Sequence, residues 1–239
     1  MAKDLLYEGK AKKIYSTDDP NQVLIYYKDD ATAYNGAKAG NIAGKGEVNN
    51  NMSALLYGFL ENSGIATHFI SKGGEREQLC HKVDIIPVEV IVRNLIAGSM
   101  AQRLNIEEGT RPLNLIYELC YKNDDLGDPL INEHHAVALR LSTYEELGHI
   151  EVITRRINGL LTRVFDNMGL TLVDYKLEFG RVPGDPNGRI LLADEISPDT
   201  CRLWDKNTGE KMDKDRFRRD LGGIEEAYRK VLERVQSTL

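Results

Sequence analysis

Residues 172–180, LVDYKLEFG, alternate with a period of two, so in an extended strand Val173, Tyr175, Leu177 and Phe179 share one side. Asp174, Lys176 and Glu178 share the other. The apolar side predicts a strand laid on the core. The charged side then faces either solvent or a site that uses two carboxylates and an ammonium. Downstream, residues 183–188 (PGDPNG) are dense in turn formers and residues 189–195 (RILLADE) read as a return strand. A hairpin centred near Asp185 and Pro186 sets Glu178 opposite Asp194, where cross-strand Cβ atoms lie about 4.5 to 5.5 Å apart. Carboxylates that close repel unless one is protonated or a cation lies between them, and hard oxygen donors suit Mg²⁺ carrying nucleotide phosphates. The bland alternative is a solvated charged hairpin, and a register slip of one residue would turn one carboxylate to the other face.

Elsewhere the pattern predicts strands over 5–7, 12–16, 23–27, 67–71 and 78–83, interrupted by one helix at about 47–62. That helix has a face of Val48, Met52, Leu55, Leu56 and Phe59 and ends before Gly64. A strand over 88–93, a short helix from Ser99, a strand near 115–121 and a longer helix over about 150–167 precede the charged hairpin. The tail, 224–236, carries an apolar stripe of Ile224, Ala227, Tyr228, Val231 and Val235 that should pack on the core, the alternative being a partner-binding helix. With no repeat or Ser/Pro-rich linker, any division into lobes must be a hinge within a continuous fold, expected at 83–87.

At 239 residues and 41 % hydrophobic content the chain can bury one core or two lobes sharing a cleft. A formal charge of −6 argues against nucleic-acid binding, so an anionic ligand must be held by a local group of Lys and Arg, as suits a small phosphorylated molecule. Cys80, Cys120 and Cys201 form no CxxC pair, and neither a leader nor a long apolar run is visible. A cytoplasmic protein with no membrane contact is expected, its Asn51-Met52-Ser53 sequon unmodified. The five histidines show no HExxH spacing, so no histidine-ligated metal is expected.

Four segments are candidates for anion binding. The strand over 88–93 sets Glu89, Ile91 and Arg93 on one face, and Ser99 with Gln102 has the capping-box pattern of a helix start. Together they suggest a phosphate cradle; the alternative is a plain strand-to-helix junction with Arg93 paired to a surface acid. Near the N-terminus Lys10 and Lys12 follow Gly9 and share a face, an arrangement that can steady a triphosphate or mark an ordinary lysine-bearing edge strand. Residues 40–46, GNIAGKG, invite a P-loop reading and fail it, because only three residues separate Gly40 from Gly44 and Gly46 replaces the Mg²⁺-binding Ser or Thr. A glycine loop leading into the first helix is expected there. Beyond the return strand, Asp199 and Arg202 lie in a predicted loop, where Arg202 can grip a phosphate bidentately or be plain surface charge.

Residues 85–99 (IIPVEVIVRNLIAGS) and 172–180, with GKAKKIY at 9–15, DEISPDTCRLW from Asp194 and MDKDRFR at 212–218, resemble the signatures of the SAICAR synthetase family. The resemblance implies an α+β fold of two lobes in one catalytic unit. Residues 1–84 would form a strand-rich, kinase-like ATP lobe, and residues 85–239 a larger lobe for substrate and metal. It implies an ATP- and Mg²⁺-dependent ligase of de novo purine biosynthesis that joins L-aspartate to the carboxylate of carboxyaminoimidazole ribonucleotide (CAIR), through an acyl phosphate, releasing ADP and phosphate. Carried over, Glu178 and Asp194 would hold the metal. Lys10, Ala11 and Lys12 would cover the nucleotide phosphates, Lys82, Val83 and Ile85 would border adenine, and Lys122 would be a further nucleotide-side lysine. Arg93, Ser99 and Arg202 would hold the ribonucleotide, chiefly its 5′-phosphate. Asp174, Lys176 and Asp199 would line the imidazole and reacting-carboxylate side, Asp174 and Lys176 as the catalytic pair, with Asn35 and Gly36 at the same pocket and Asp128 as a contact to aspartate or metal. Some relatives carry Asp where this chain has Asn35. A homodimer is expected. Two other functions would use the same residues: a small-molecule kinase on a related scaffold, and a non-catalytic ribonucleotide-binding module.

Overall fold

A computed structural model of the chain describes residues 4–33 and 36–239. Short alternating segments at its start pair with their sequence neighbours. β1 (Leu5–Glu8), β2 (Lys12–Ser16) and β3 (Gln22–Tyr27) run antiparallel in succession. β4 (Asp30–Ala33) and β5 (Lys38–Asn41) form a separate hairpin. After α1 (Lys45–Asn62), β6 (Phe69–Lys72) and β7 (Glu77–His81) complete a five-stranded sheet in the order β1-β2-β3-β7-β6. β8 (Asp84–Arg93) opens the second sheet, followed by α2 (Gly98–Leu104), β9 (Ile116–Tyr121), β10 (Leu130–Ile131), α3 (Glu133–Ala138) and α4 (Tyr144–Asn167). The chain ends with β11 (Leu170–Arg181), β12 (Ile190–Ala193), β13 (Cys201–Asp205), α5 (Asp215–Arg218) and α6 (Ile224–Thr238). The second sheet has the order β10-β9-β8-β11-β12, with β13 also on β11. Ladders within both sheets are antiparallel, and helices pack against them, which is the α+β class expected.

β11 is the axis of that sheet. One edge pairs with β8; the other pairs with β13 from Leu170 to Tyr175 and with β12 from Glu178 to Arg181. The partner changes at Lys176, whose N–H donates instead to the carbonyl of Thr200 at 2.9 Å. Val173, Tyr175, Leu177 and Phe179 are each at most 1 % exposed, as the alternation predicts. Tyr175, Leu177 and Phe179 meet α4 (Ile157, Leu161, Phe165), α1 (Met52, Leu56, Leu60) and α6 (Val231, Val235) in one continuous core. Each such side chain contributes roughly 1.5–3 kcal/mol by leaving water. Among the described residues no helix is long and apolar enough to cross a membrane.

Several expectations need correction. Glu178 stands opposite Ala193, not Asp194. The turn closes with Val182 N–H on the Arg189 carbonyl, so its centre falls between Asp185 and Pro186 as expected, and a hairpin centred there pairs residue 178 with 193. α4 begins at Tyr144 because Thr143 and Glu146 form a capping box, a signal present in the sequence that the apolar periodicity alone passes over. Residues 201–205 are a strand where a loop was expected, and residues 84–87, expected as a hinge, are already in β8. α1 is rotated relative to its predicted face: Asn49, Ser53, Tyr57 and Leu60 are buried beside Met52 and Leu56, while Val48, Leu55 and Phe59 are half-buried.

β11 carries an irregularity between Glu178 and Gly180 where it meets β8. A Cβ on Gly180 would fall 2.4 Å from Val83 Cγ2, so only glycine lets β11 pass that side chain. Gly180→Ala is expected to cost about 1–3 kcal/mol through overpacking. Urea denaturation reads it as a lowered midpoint; an unchanged midpoint would refute the close approach.

Candidate active site

The change of partner along β11 builds the site. At the end of β12 the backbone of Asp194 turns left-handed, with φ of 65°, and the chain runs across residues 194–200 before returning as β13. Ala193 shares a face with Glu178, so a continued strand would send residue 194 to the other face. The left-handed turn brings the carboxylate back. Lys176 Nζ lies 2.6 Å from Glu178 Oε1, 2.8 Å from Glu89 Oε1 and 3.6 Å from Asp194 Oδ2. Lys12, from β2 of the other sheet, donates to Asp194 and lies 2.9 Å from Glu195 Oε1. Lys122, just after β9, donates to Glu178 Oε1 at 2.8 Å.

These pairs set each other's charge. Burial works against the Lys176 ammonium, but Glu178, Asp194 and Glu89 outweigh it and hold its pKa well above the lysine range. Lys12 is likewise held up against burial by Asp194 and Glu195. Asp194 is opposed by burial, yet Lys12, Lys176 and Lys122 keep it below the usual carboxylate range. Glu89 goes the other way: burial pushes it up, and Lys176 only partly offsets this. Among the described residues no three acids, histidines or cysteines gather closely enough to hold a metal by themselves. Glu178 and Asp194, both presented to one ammonium, form a two-carboxylate donor set of the kind that suits Mg²⁺, which keeps water and phosphate oxygens in its other positions.

The opposite end is built from guanidinium groups. Arg93, buried at the end of β8, donates to Asp174 Oδ2 at 2.7 Å and Glu118 Oε2 at 2.9 Å. Arg202, on β13, reaches the two Asp174 oxygens at 2.8 and 3.0 Å and Asp215 Oδ2 at 3.1 Å. Burial opposes its charge, and Asp174 and Asp215 more than restore it, so its pKa is raised. Gly98 admits this arginine: its φ is 55°, and a Cβ there would lie 2.4 Å from an Arg202 nitrogen. Ser99 is not the cap expected. Ala97 precedes α2 without a side-chain hydrogen bond, and the Ser99 hydroxyl instead accepts from Arg93 at 3.3 Å.

Both ends open into one cavity of about 470 Å³. Lys10, Ala11, Lys12 and Gly36 line it from the first sheet and the β4–β5 hairpin, with Lys122 and Asp128 after β9. Arg93, Ser99, Asp174, Lys176, Glu178, Asp194, Asp199 and Arg202 complete the sequence-derived set. Lys10 pairs with Asp124 at 2.7 Å. Lys82, Val83 and Ile85 are not brought to the cavity wall: Lys82 is exposed with its N–H on the Asn21 carbonyl, Val83 packs over Gly180, and Ile85 is 38 % exposed on β8. Asn35 lies outside the described residues.

Sequence reasoning missed Glu89, Glu195, Lys214 and Arg218 as lining groups. Glu89 had a signal, since it alternates with Ile91 and Arg93 along β8. Lys45 was missed too. It is 1 % exposed and lies 2.9 Å from Asp199 Oδ2, whose other oxygen accepts from the Tyr228 hydroxyl at 2.7 Å. Asp199 is pushed up by burial but held below the usual carboxylate range by Lys214 and Lys45. The 40–46 loop is no phosphate cradle. The N–H groups of Gly44 and Gly46 already donate to the Asp29 carboxylate, which Arg76 grips at 2.6 and 2.9 Å.

The chain has relatives among known proteins. The SAICAR synthetase family model matches residues 5–235. A phosphoribosylaminoimidazole-succinocarboxamide synthase of Fusobacterium nucleatum is 62 % identical over 230 residues, 96 % of each chain. The crystal structure of the synthase of that name from Ehrlichia chaffeensis superposes with a TM-score of 0.96 at 45 % identity over 99 % of both chains. A SAICAR synthetase solved in complex with ADP superposes with a TM-score of 0.92 at 46 % identity over 97 % of both. Matched in sequence over nearly its whole length and in the course of its backbone, this chain belongs to the SAICAR synthetase family.

Proposed function

We propose that the cavity joins L-aspartate to the carboxylate of CAIR at the expense of ATP, forming SAICAR, ADP and phosphate in de novo purine biosynthesis. The observation that carries this is the polarity of one cavity. Paired lysines and carboxylates of two sheets meet at one end, and Arg93 and Arg202 converge on Asp174 at the other. The first suits a nucleotide triphosphate with its cation, the second a ribonucleotide 5′-phosphate. The ADP bound by a relative supports the nucleotide.

In this reading ATP lies between residues 1–84 and 85–239, its phosphates under Lys10, Ala11 and Lys12. Ile85 continues the face of β8 that bears Glu89, Ile91 and Arg93, which supports adenine beside it, with Lys82 and Val83 at the strand's start. Glu178 and Asp194 would hold Mg²⁺, which when bound neutralises phosphate charge. Arg93, Ser99 and Arg202 orient the ribonucleotide. Lys176 and Asp174 border the carboxylate that takes the γ-phosphoryl group and then, as an acyl phosphate, is attacked by the aspartate amine. The amide C–N bond forms as the acyl C–O bond breaks, phosphate leaves carrying that oxygen, and the nitrogen gives up a proton. No enzyme nucleophile is needed, because the work is positioning and charge neutralisation. Gly36, Asp128 and Asp199 are placed around the same reacting groups. We place the enzyme in the cytoplasm and take it to act as a homodimer.

Glu178→Gln is expected to cut turnover by roughly 100-fold or more while the circular dichroism spectrum stays that of the wild type. Near-normal turnover would remove Glu178 from the metal role. ADP release should require ATP, Mg²⁺, CAIR and L-aspartate together; ready release with an alcohol acceptor would instead indicate a kinase. Arg202→Ala should chiefly raise KM for CAIR, since the lost contact is to a non-reacting phosphate. An effect confined to KM for ATP would put Arg202 in the wrong subsite.

A further inference from the structure

Lys214 stands out among the cavity's cations because its charge is left over. Its side chain is only 14 % exposed and it lines the cavity. The acid beside it, Asp199, is already satisfied on both oxygens, by Lys45 at 2.9 Å and by the Tyr228 hydroxyl at 2.7 Å. Lys214 Nζ comes no nearer to Asp199 than 3.5 Å, and among the described residues that ammonium has no hydrogen bond. One carboxylate thus faces a buried and a half-buried lysine, and the Lys214 ammonium, held to it only by the 3.5 Å ion pair, lines a ligand cavity with its three donors not hydrogen-bonded. Burial lowers the Lys214 pKa, with Asp199 pulling the other way, so an added anion would secure its charge. Arg218, four residues on across α5, lines the same wall while one of its nitrogens donates to Asp215 Oδ1 at 2.6 Å.

We propose that Lys214, with Arg218, receives a carboxylate of the L-aspartate cosubstrate; this rests on the ligase reading of the cavity. The chemistry required is an anionic oxygen group, which either the amino acid or the ribonucleotide phosphate could supply. The position favours the amino acid. The Lys214 N–H donates to the Pro198 carbonyl at 3.1 Å, and the Lys176 N–H donates to the Thr200 carbonyl at 2.9 Å, so one short loop joins Lys214 to the lysine of the reacting-carboxylate side. The phosphate already has Arg93, Ser99 and Arg202. L-Aspartate differs from neutral amino acids by its second carboxylate, and two further cations at this wall give a physical reason for preferring it to them.

The test compares wild type, Lys214→Met and Lys214→Arg in the full reaction, with KM measured for each substrate. Lys214→Met should raise KM for L-aspartate by about 10- to 100-fold, the loss of one charge-assisted hydrogen bond. KM for ATP and CAIR should stay within about twofold, as expected for a contact made by one substrate alone. Lys214→Arg should recover part of the loss, and selectivity for L-aspartate over L-alanine should fall in the Met variant. An unchanged KM for L-aspartate, or a rise in KM for CAIR in its place, overturns the proposal, as does a fall in kcat with every KM unchanged. If the Met variant does not fold, Lys214→Gln serves in its place with the same outcomes. A wild-type enzyme that consumes no L-aspartate would instead defeat the ligase reading itself.

Discussion

Carboxylates taken out of water require cations, and much of this molecule's design follows from that demand on one face of β11. Glu178 is buried, Glu89 stands opposite it on β8, and Asp194 turns in from the end of β12. No one strand supplies enough positive charge to balance three acids. Lys176 comes from β11 itself, Lys122 from beyond β9, and Lys12 from the other sheet. The pairing therefore ties the two sheets together through charge as well as through the shared core. Deleting one member of this partly buried set leaves the others short of a partner. In the proposed reading the same lysines serve a triphosphate, and the acids around them hold Lys12 and Lys176 charged.

Geometry at the cluster depends on two departures from regular structure. β11 gives up a strand partner at Lys176, which leaves room for residues 194–200 to lie across its charged face. Asp194 then takes a left-handed conformation that non-glycine residues seldom adopt. Strain of this kind persists where the surroundings fix it. Here the carboxylate it redirects is held by Lys12 and faces Lys176. A regular hairpin would have had one fewer acid at the site.

That arrangement explains what could be read from residues alone. Alternation in 172–180 revealed the buried and charged faces because periodicity is a local property of the chain. The register missed by one residue because a turn centre known only to the nearest residue does not fix which side chains stand opposite each other. The convergence of Glu178 and Asp194 survived only because the left-handed turn compensated for the slip, and nothing in RILLADE announces a positive φ. Lys45, Tyr228 and Lys214 were invisible as a group for another reason. A lysine on a glycine loop, a tyrosine in an apolar stripe and a lysine in a charged run look ordinary one at a time, and only the packing of α1 and α6 brings two of them to Asp199. Ser99 shows the converse, a recognisable cap pattern overridden by a buried arginine that claims the hydroxyl.

The protein's soft nucleophiles are kept away from this chemistry. Burial pushes the Cys80 thiol up to about 12 and the Cys120 thiol up to about 11, and Cys201 is raised as well. None of the three lines the cavity. His68, buried against Tyr57, is pushed down to about 3 by burial and the nearby Lys12, so it stays neutral and cannot serve as a proton donor near pH 7. What the cavity offers instead is fixed charge of both signs, preorganised before any ligand arrives. A reaction that moves a phosphoryl group onto one substrate and lets a second displace it asks for little else: charge held where it will develop, and two reactants held within reach of each other.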